Sequence, residues 1–416
     1  MKRLLELGKT LLIIVLICTL VLLAVASVPV ETIRDNPRLS RYLQPLAPLL
    51  GLPEAELAYV ETALPALDAA QPVLISVSNS IGRATAMWDF SALDSQFETY
   101  GGLLGQALDT AELFTGTSDA QLRKALSGDS VYFRYGCKLP VSLLASWLGA
   151  EQPAAVPQTD AMLLSIEGDV VALYLLGQPH FRALTQLDPA VLETLLAQIR
   201  PDGSRFAFET DSTLDPLTLL PGGSVSVSGI AVSNPCDSRY IDQLATDLGF
   251  NPYGETRYLD DEGTTHFSET NAALQISAAG EIQLTGAPGN RFCSSSAEDD
   301  ALAEQARRLV ETVMGDPVSD GRIYLSGFYR QNNSTVCTFD YWVSGIPVST
   351  KGNAARIVFT GQNFTSMELQ AMTFRATGDL IYPLPVAQAA AILPEDSTLT
   401  LQYRLSNGTL TAGWKN

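Results

Sequence analysis

Residues 10–30 form an unbroken run of 21 uncharged, mostly aliphatic residues, and no other stretch of the 416-residue chain is both as long and as apolar. As a helix rising about 1.5 Å per residue, the run is about 31 Å long and crosses the hydrocarbon core of one bilayer. Lys2, Arg3 and Lys9 precede it, so the positive-inside bias keeps residues 1–9 in the cytoplasm and exports everything that follows. Most of the chain is therefore expected to fold outside the cytoplasm. A secretory signal is the competing reading. Residues 11–23 would be its apolar core, and Ala24-Val25-Ala26 before Ser27 has the small-x-small form of a cleavage site. Apolar character continuing through Val28 and Val30 favours an uncleaved anchor. Within that anchor, Leu12, Leu16, Leu20 and Leu23 are the candidate contacts to a partner's membrane helix.

Residues 31–72 read as a stalk. Pro37, Pro45, Pro48, Pro53, Pro65 and Pro72 interrupt its short apolar stretches and leave only helical fragments, so packed structure is expected from Val73 onward. With 46% hydrophobic and 17% charged residues the chain is folding material, long enough for two or three exported domains. Its net charge is −19; Lys2, Arg3, Lys9 and Glu6 leave the first 30 residues at +2 and the remainder at −21. Such a surface repels nucleic acid and anionic headgroups, which excludes nucleic acid as a partner, and it keeps an exported protein soluble. Cys18 falls in the membrane run. Cys137, Cys236, Cys293 and Cys337 allow three disulfide pairings or isolated thiols, and the sequence leaves these alternatives open.

From Val73 to residue 234 the pattern is that of a mixed α/β domain. Strands are predicted at 73–77 and 83–89 across Ser80-Ile81-Gly82, followed by a helix from Ser91 carrying Leu93, Phe97, Leu103, Leu104 and Leu108. Ser118 and Gln121 have the spacing of a capping box, in which hydroxyl and amide serve the free amides of a helix start. A strand at 130–135 leads to a helix at 141–148 with Pro140 in its first turn. Strands at 161–167 and 170–176 flank Gly168-Asp169 as a hairpin, and a helix at 189–199 and strands at 205–209 and 224–232 complete the region.

Residues 235–296 then read as one helix, 238–248, and four strands at 256–259, 264–268, 273–277 and 281–285, separated by Asp260-Asp261-Glu262-Gly263 and Ala278-Ala279-Gly280. Residues 297–416 follow the same order: a helix at 299–314, strands at 322–330, 335–343, 355–359 and 367–377, then a short helix at 385–393 and strands at 398–405 and 409–414. The expected fold class is thus α+β: a transmembrane helix, a mixed α/β domain, and C-terminal repeats of one helix packed on an antiparallel sheet.

Signals for chemistry are weak. There is no Gly-x-Ser-x-Gly elbow, no Cys-x-x-Cys pair and no phosphate loop, and only His180 and His266 offer imidazoles. Alternation of Ser with Val in 224–228 suits a strand with one wet face. The acidic cluster 260–262 falls in a hairpin turn, and that at 298–300 at a helix start, where acids complement the dipole. No catalytic residue, cofactor site or metal site is predicted.

In Phe339-Asp340-Tyr341-Trp342-Val343-Ser344-Gly345-Ile346-Pro347-Val348, in residues 399–414, and in the hairpin unit from Arg257 to Gly280, the chain resembles the YycH/YycI family, over residues 235–416 chiefly. The resemblance implies a non-enzymatic accessory protein of a Gram-positive bacterium that binds the essential cell-wall sensor histidine kinase, in part through its membrane helix, with a related accessory protein as a further partner. An exported wall- or peptide-binding module is the alternative, and an exported hydrolase with an unfamiliar site the third.

Overall fold

The computed structural model describes residues 66–151, 156, 158–314, 319–406 and 408–415. The run 10–30, the cut after Ala26, and Leu12, Leu16, Leu20 and Leu23 lie outside the described residues, as does most of the stalk. Among the described residues no helix is long and apolar enough to cross a membrane. The chain is a sheet-rich α+β protein with eight described α-helices.

Its first part runs α1 (Ala66–Ala69), β1 (Leu74–Asn79), β2 (Gly82–Ala86), α2 (Phe90–Thr110), β3 (Thr115–Thr117), α3 (Asp119–Leu126), β4 (Ser130–Pro140), α4 (Val141–Trp147), β5 (Gln158–Glu167), β6 (Val170–Leu176), β7 (His180–Leu184) and α5 (Pro189–Leu196). The strands make one antiparallel sheet in the order β2-β1-β4-β5-β6-β7-β3. Both faces are buried. Ile75, Phe133, Leu164 and Leu173 meet Leu93, Leu104, Leu144 and Leu192 of helices α2, α4 and α5. Tyr132, Leu163 and Tyr174 on the opposite face meet Leu122 of α3 and Phe206. Two-sided burial accounts for the near-continuous apolar runs of β5 and β6.

Local chemistry sets the helix starts. Asp89 caps α2 by accepting the Ser91 amide at 2.9 Å, so the helix begins one residue before the expected Ser91. Ser118 caps α3 through the Gln121 amide, but the Gln121 side chain accepts from the Thr117 hydroxyl at 3.0 Å, and only half of the expected box forms. Pro140 is the cap residue of α4 rather than its first-turn residue. Packing also begins earlier than Val73: Ala70, Gln71 and Pro72 are already buried.

Next come β8 (Arg205–Phe206), β9 (Leu219–Leu220) and β10 (Val227–Ser233). The expected strand 205–209 stops after two residues, because Glu209 turns back to accept the Phe206 amide at 2.8 Å and to pair with Arg83. Residues 224–226, expected to begin a strand, precede β10.

The second part holds α6 (Ser238–Asp247), β11 (Arg257–Leu259), β12 (Thr265–Ser268), β13 (Ala272–Ile276), β14 (Glu281–Gly286), α7 (Asp299–Met314), β15 (Gly321–Gln331), β16 (Ser334–Val343), β17 (Ile346–Ser349), β18 (Ala355–Thr360), β19 (Asn363–Gln370), β20 (Thr373–Ile381), α8 (Val386–Ile392), β21 (Thr400–Ser406) and β22 (Thr409–Lys415). Thirteen strands form one sheet, in which β11-β12-β13-β14-β19-β18-β16-β17-β21-β22-β10-β20 are successive neighbours and β15 adds to β16. The meander β11–β14 and the strands β15, β16, β18 and β19 join through their last members, β14 and β19, which pair antiparallel from Glu281↔Gln370 to Thr285↔Ser366. Helices α6 and α7 cover this junction with Leu244, Leu248, Leu302, Leu309 and Val313, and the Tyr240 hydroxyl of α6 donates to the Val313 carbonyl of α7 at 2.8 Å.

Three departures from expectation matter. Residues 367–377 are not one strand: β19 ends at Gln370 and β20 begins at Thr373, where the chain leaves one branch of the sheet for the other. Strand β10 lies between β20 and β22, so it belongs to the second sheet and not to the first. Helix α8 buries Ala389 against Ala207 and Leu214 of the preceding part, and does not lie over a sheet of its own. Cys137, Cys236, Cys293 and Cys337 are all free thiols. Burial pushes Cys236 up to about 11 and Cys137 up to about 12, with nearby aspartates adding to both shifts.

Candidate functional site

Where the two sheets meet, a crevice of about 610 Å³ opens between α1, α2, α4, α7, the bulged end of β4 and the start of β15. This volume is in the range of small-ligand pockets, about 300–1,000 Å³. Phe97, Tyr135, Leu139 and Trp147 supply its apolar lining, and Arg307 and Arg322 its cations. Its shape depends on Gly105. A Cβ there would lie 2.6 Å from the Leu148 carbonyl oxygen, so only glycine lets α2 pass this close to the end of α4.

Residues 71–73 are built into one wall. The Gln71 amide donates to Asp94 Oδ1 at 2.5 Å, while Gln71 Oε1 accepts from Arg322, whose other nitrogen reaches Asp94 Oδ2 at 2.8 Å. The Arg322 guanidinium also lies 4.1 Å from the Phe90 ring centroid. The Val73 amide donates to the Arg134 carbonyl at 2.8 Å, which holds the segment along β4. Burial alone would raise the Asp94 carboxyl, but the bonds from Arg322 and Gln71 outweigh it and hold the group below its ordinary range.

A second network closes the far side. Arg307 donates to both oxygens of Glu304 at 2.8 Å and to Glu311 at 2.5 Å, and the Trp147 indole donates to Glu304 at 2.7 Å. Since Trp147 belongs to α4 and Glu304 to α7, this bond ties the two sheets together. The Cys137 thiol adds another tie by donating to the Leu325 carbonyl at 3.2 Å. The Tyr135 hydroxyl, buried at the same seam, has no hydrogen-bond partner among the described residues, and burial raises its pKa.

Burial would raise Glu304 as well, yet Arg307 and Arg308 bring it below its ordinary value of 4.5. A depressed carboxyl stabilises the fold fully above the unfolded value and loses that contribution as pH falls through the folded one. Urea unfolding between about pH 5 and pH 2 should therefore show a steep loss of stability, and Glu304→Gln should flatten it. Equal slopes in the two proteins would contradict this account of the network.

The residues singled out by sequence have local roles. His266 Nε2 lies 2.7 Å from Asp260 Oδ2 and stacks on Tyr258 at 4.5 Å, while Asp260 Oδ1 caps its hairpin by accepting the Glu262 and Thr264 amides. Asp299 pairs with Arg330 at 2.7 Å at the start of α7. The structure brings neither acidic cluster to the seam, and no group of three metal-ligating side chains occurs among the described residues. Sequence reasoning missed the seam residues. Arg307 alone carried a signal, since it shares the buried face of α7 with Ala303, Ala306 and Val310.

Compared with family models, with curated proteins and with solved structures, the chain matches none.

Proposed function

We propose that the chain is a non-enzymatic, membrane-anchored extracytoplasmic regulator that adjusts a sensor histidine kinase by contact. Residues 10–30 span the bilayer, and Leu12, Leu16, Leu20 and Leu23 face the partner's membrane helix. The observation that carries this reading is Gln71. The segment arriving from the membrane run is bonded through this side chain to Asp94 of one sheet unit and Arg322 of the other. A shift between the two units therefore moves the base of the tether, with no flexible joint at residues 70–73.

The kinase enters as the partner through the resemblance of residues 339–348 and 399–414 to the YycH/YycI family, and the two helix-and-meander units read as repeats. The described carboxyls with shifted pKa are poor candidates for general acids. Asp94, Glu167, Asp260 and Glu304 are all shifted downward, so each is a fixed negative charge near neutral pH and a poor proton donor. Gln71→Leu, and separately an unrelated spanning helix in place of residues 10–30, should each change transcription of the kinase's target genes in cells. Unchanged transcription in both strains, with the protein present at normal level, would reject the proposal.

A further inference from the structure

A second cleft, of about 560 Å³, lies on the opposite face of the first sheet, away from the seam. Its floor is the buried apolar layer of Leu122, Tyr132 and Leu176. Around that floor stand charges of both signs. Asp119 and Arg123 come from α3, Arg134 and Lys138 from β4, Asp160 from β5, and Asp215 from the turn before β9. For a chain with 26 basic and 45 acidic residues, three cations in one cleft is a local enrichment.

These charges do not neutralise one another. Among the described residues no nitrogen of Arg123, Arg134 or Lys138 comes within ion-pair distance of a carboxylate, although three acids, Asp119, Asp160 and Asp215, share the cleft with them. Arg123 lies 5.9 Å from the Phe208 ring centroid. Among the described residues neither Arg134 nor Lys138 donates a side-chain hydrogen bond, and the Asp160 carboxylate accepts none. Asp215 uses one oxygen to accept the Leu217 amide at 2.9 Å, leaving the other. The backbone keeps them apart. Between Arg134 and Leu139 the register of β4 against β5 breaks, opposite Asp160, which sets Lys138 and Arg134 on either side of it instead of in a regular cross-strand pair.

Opposite charges that face one cleft without pairing leave both signs available to a ligand. A simple anion or cation would meet one set and strip water from the other without return. A molecule carrying both a carboxylate and an ammonium satisfies the two sets at once, and charge-assisted hydrogen bonds of this kind are the strong ones. Small apolar side chains would rest on the Leu122 and Leu176 floor. His180 completes the rim: its Nδ1 accepts the Gly177 amide at 3.2 Å, so the neutral ring carries its proton on Nε2, 3.6 Å from Asp119.

We propose that this cleft binds a small zwitterion, an amino acid or short peptide, with its carboxylate on Arg134 and Lys138 and its ammonium on Asp160 and Asp215. The site is independent of the kinase reading, since it shares no residue with the seam. The test is calorimetry on the full-length protein in detergent, titrated with alanine, Ala-Ala and tetra-alanine, and with Ala-Ala capped by N-acetylation or by C-terminal amidation. At least one uncapped ligand should bind saturably, and each cap should weaken Ala-Ala binding about tenfold or more. Alanine binding as tightly as the peptides marks a free amino acid as the ligand, and tighter binding of the longer ones a peptide. Arg134→Gln should reproduce the loss caused by amidation and Asp160→Asn that caused by acetylation, in variants whose thermal unfolding matches the parent. Capped and uncapped Ala-Ala binding alike, or no heat from any uncapped ligand at millimolar concentration, overturns the proposal whatever the variants do.

Discussion

Arg307→Met should destabilise the protein by about 3–5 kcal/mol, the usual consequence of removing one partner from a buried ion pair. Arg307 is 4% exposed and Glu311 7% exposed, so water cannot replace the lost bonds. The deletion strips Glu311 of its 2.5 Å contact and Glu304 of two at 2.8 Å. Glu304 keeps Arg308 and the Trp147 indole, which limits its share of the loss. A double-mutant cycle with Glu311→Leu separates the terms. The double variant should recover part of the stability lost in Arg307→Met, because an apolar pair requires no partner charge, and the coupling should fall within about 0.5–3 kcal/mol. Urea midpoints for the four proteins decide the matter, and an Arg307→Met loss below about 1 kcal/mol would show that the network is not buried as described.

Phe364→Ala should cost about 3–5 kcal/mol by the cavity it leaves. Phe364 is fully buried on β19, the strand that pairs with β14 on one side and β18 on the other. Its ring meets Phe292 at 5.5 Å and Phe359 at 6.1 Å, so aromatic contacts are lost together with area. Collapse into the hole is hindered from below, where the Phe364 carbonyl is fixed by the Asn290 amide at 2.9 Å. Ile81→Ala, at a residue 67% exposed, should stay within about 0.5 kcal/mol and serves as the control. Hydrogen exchange in Phe364→Ala should speed up in β11–β14 and β16–β19 alike. Faster exchange confined to one side of the β14–β19 junction would contradict the joining role given to this residue.

Elements made by neighbouring residues were legible in the sequence. Helix α7 spans the expected residues, because two acids open it and apolar residues recur at helical spacing. The meander β11–β14 was equally plain: Gly263 and Gly280 close its turns at φ +81° and +89°, where other residues would be strained. Information failed where pairing is distant. Strand β17 has four residues and a parallel partner some fifty residues away, and the short β3 shows no apolar alternation. The split between β19 and β20 falls at Ala371-Met372, with neither Gly nor Pro to mark it. The seam is the extreme case. Arg322 meets Gln71 and Asp94 across 251 and 228 residues of sequence, and each of the three has an ordinary surface role in its local context. The charged cleft was invisible for the same reason, since five elements supply its rim.

The placement of β10 bears on the order in which the protein can assemble. A chain made from its N-terminus presents β1 to β7 first, and that sheet closes from segments all lying before residue 185. Strand β10 emerges soon afterward but waits, with both of its edges bare, for β20 and for Thr409 and Leu410 of β22. An unpaired strand in that state is a template for pairing with other chains. Some 180 further residues must therefore emerge past an open edge before the larger sheet can seal. Such a protein gains from a holdase that covers the edge, or from synthesis fast enough to outrun its own mispairing.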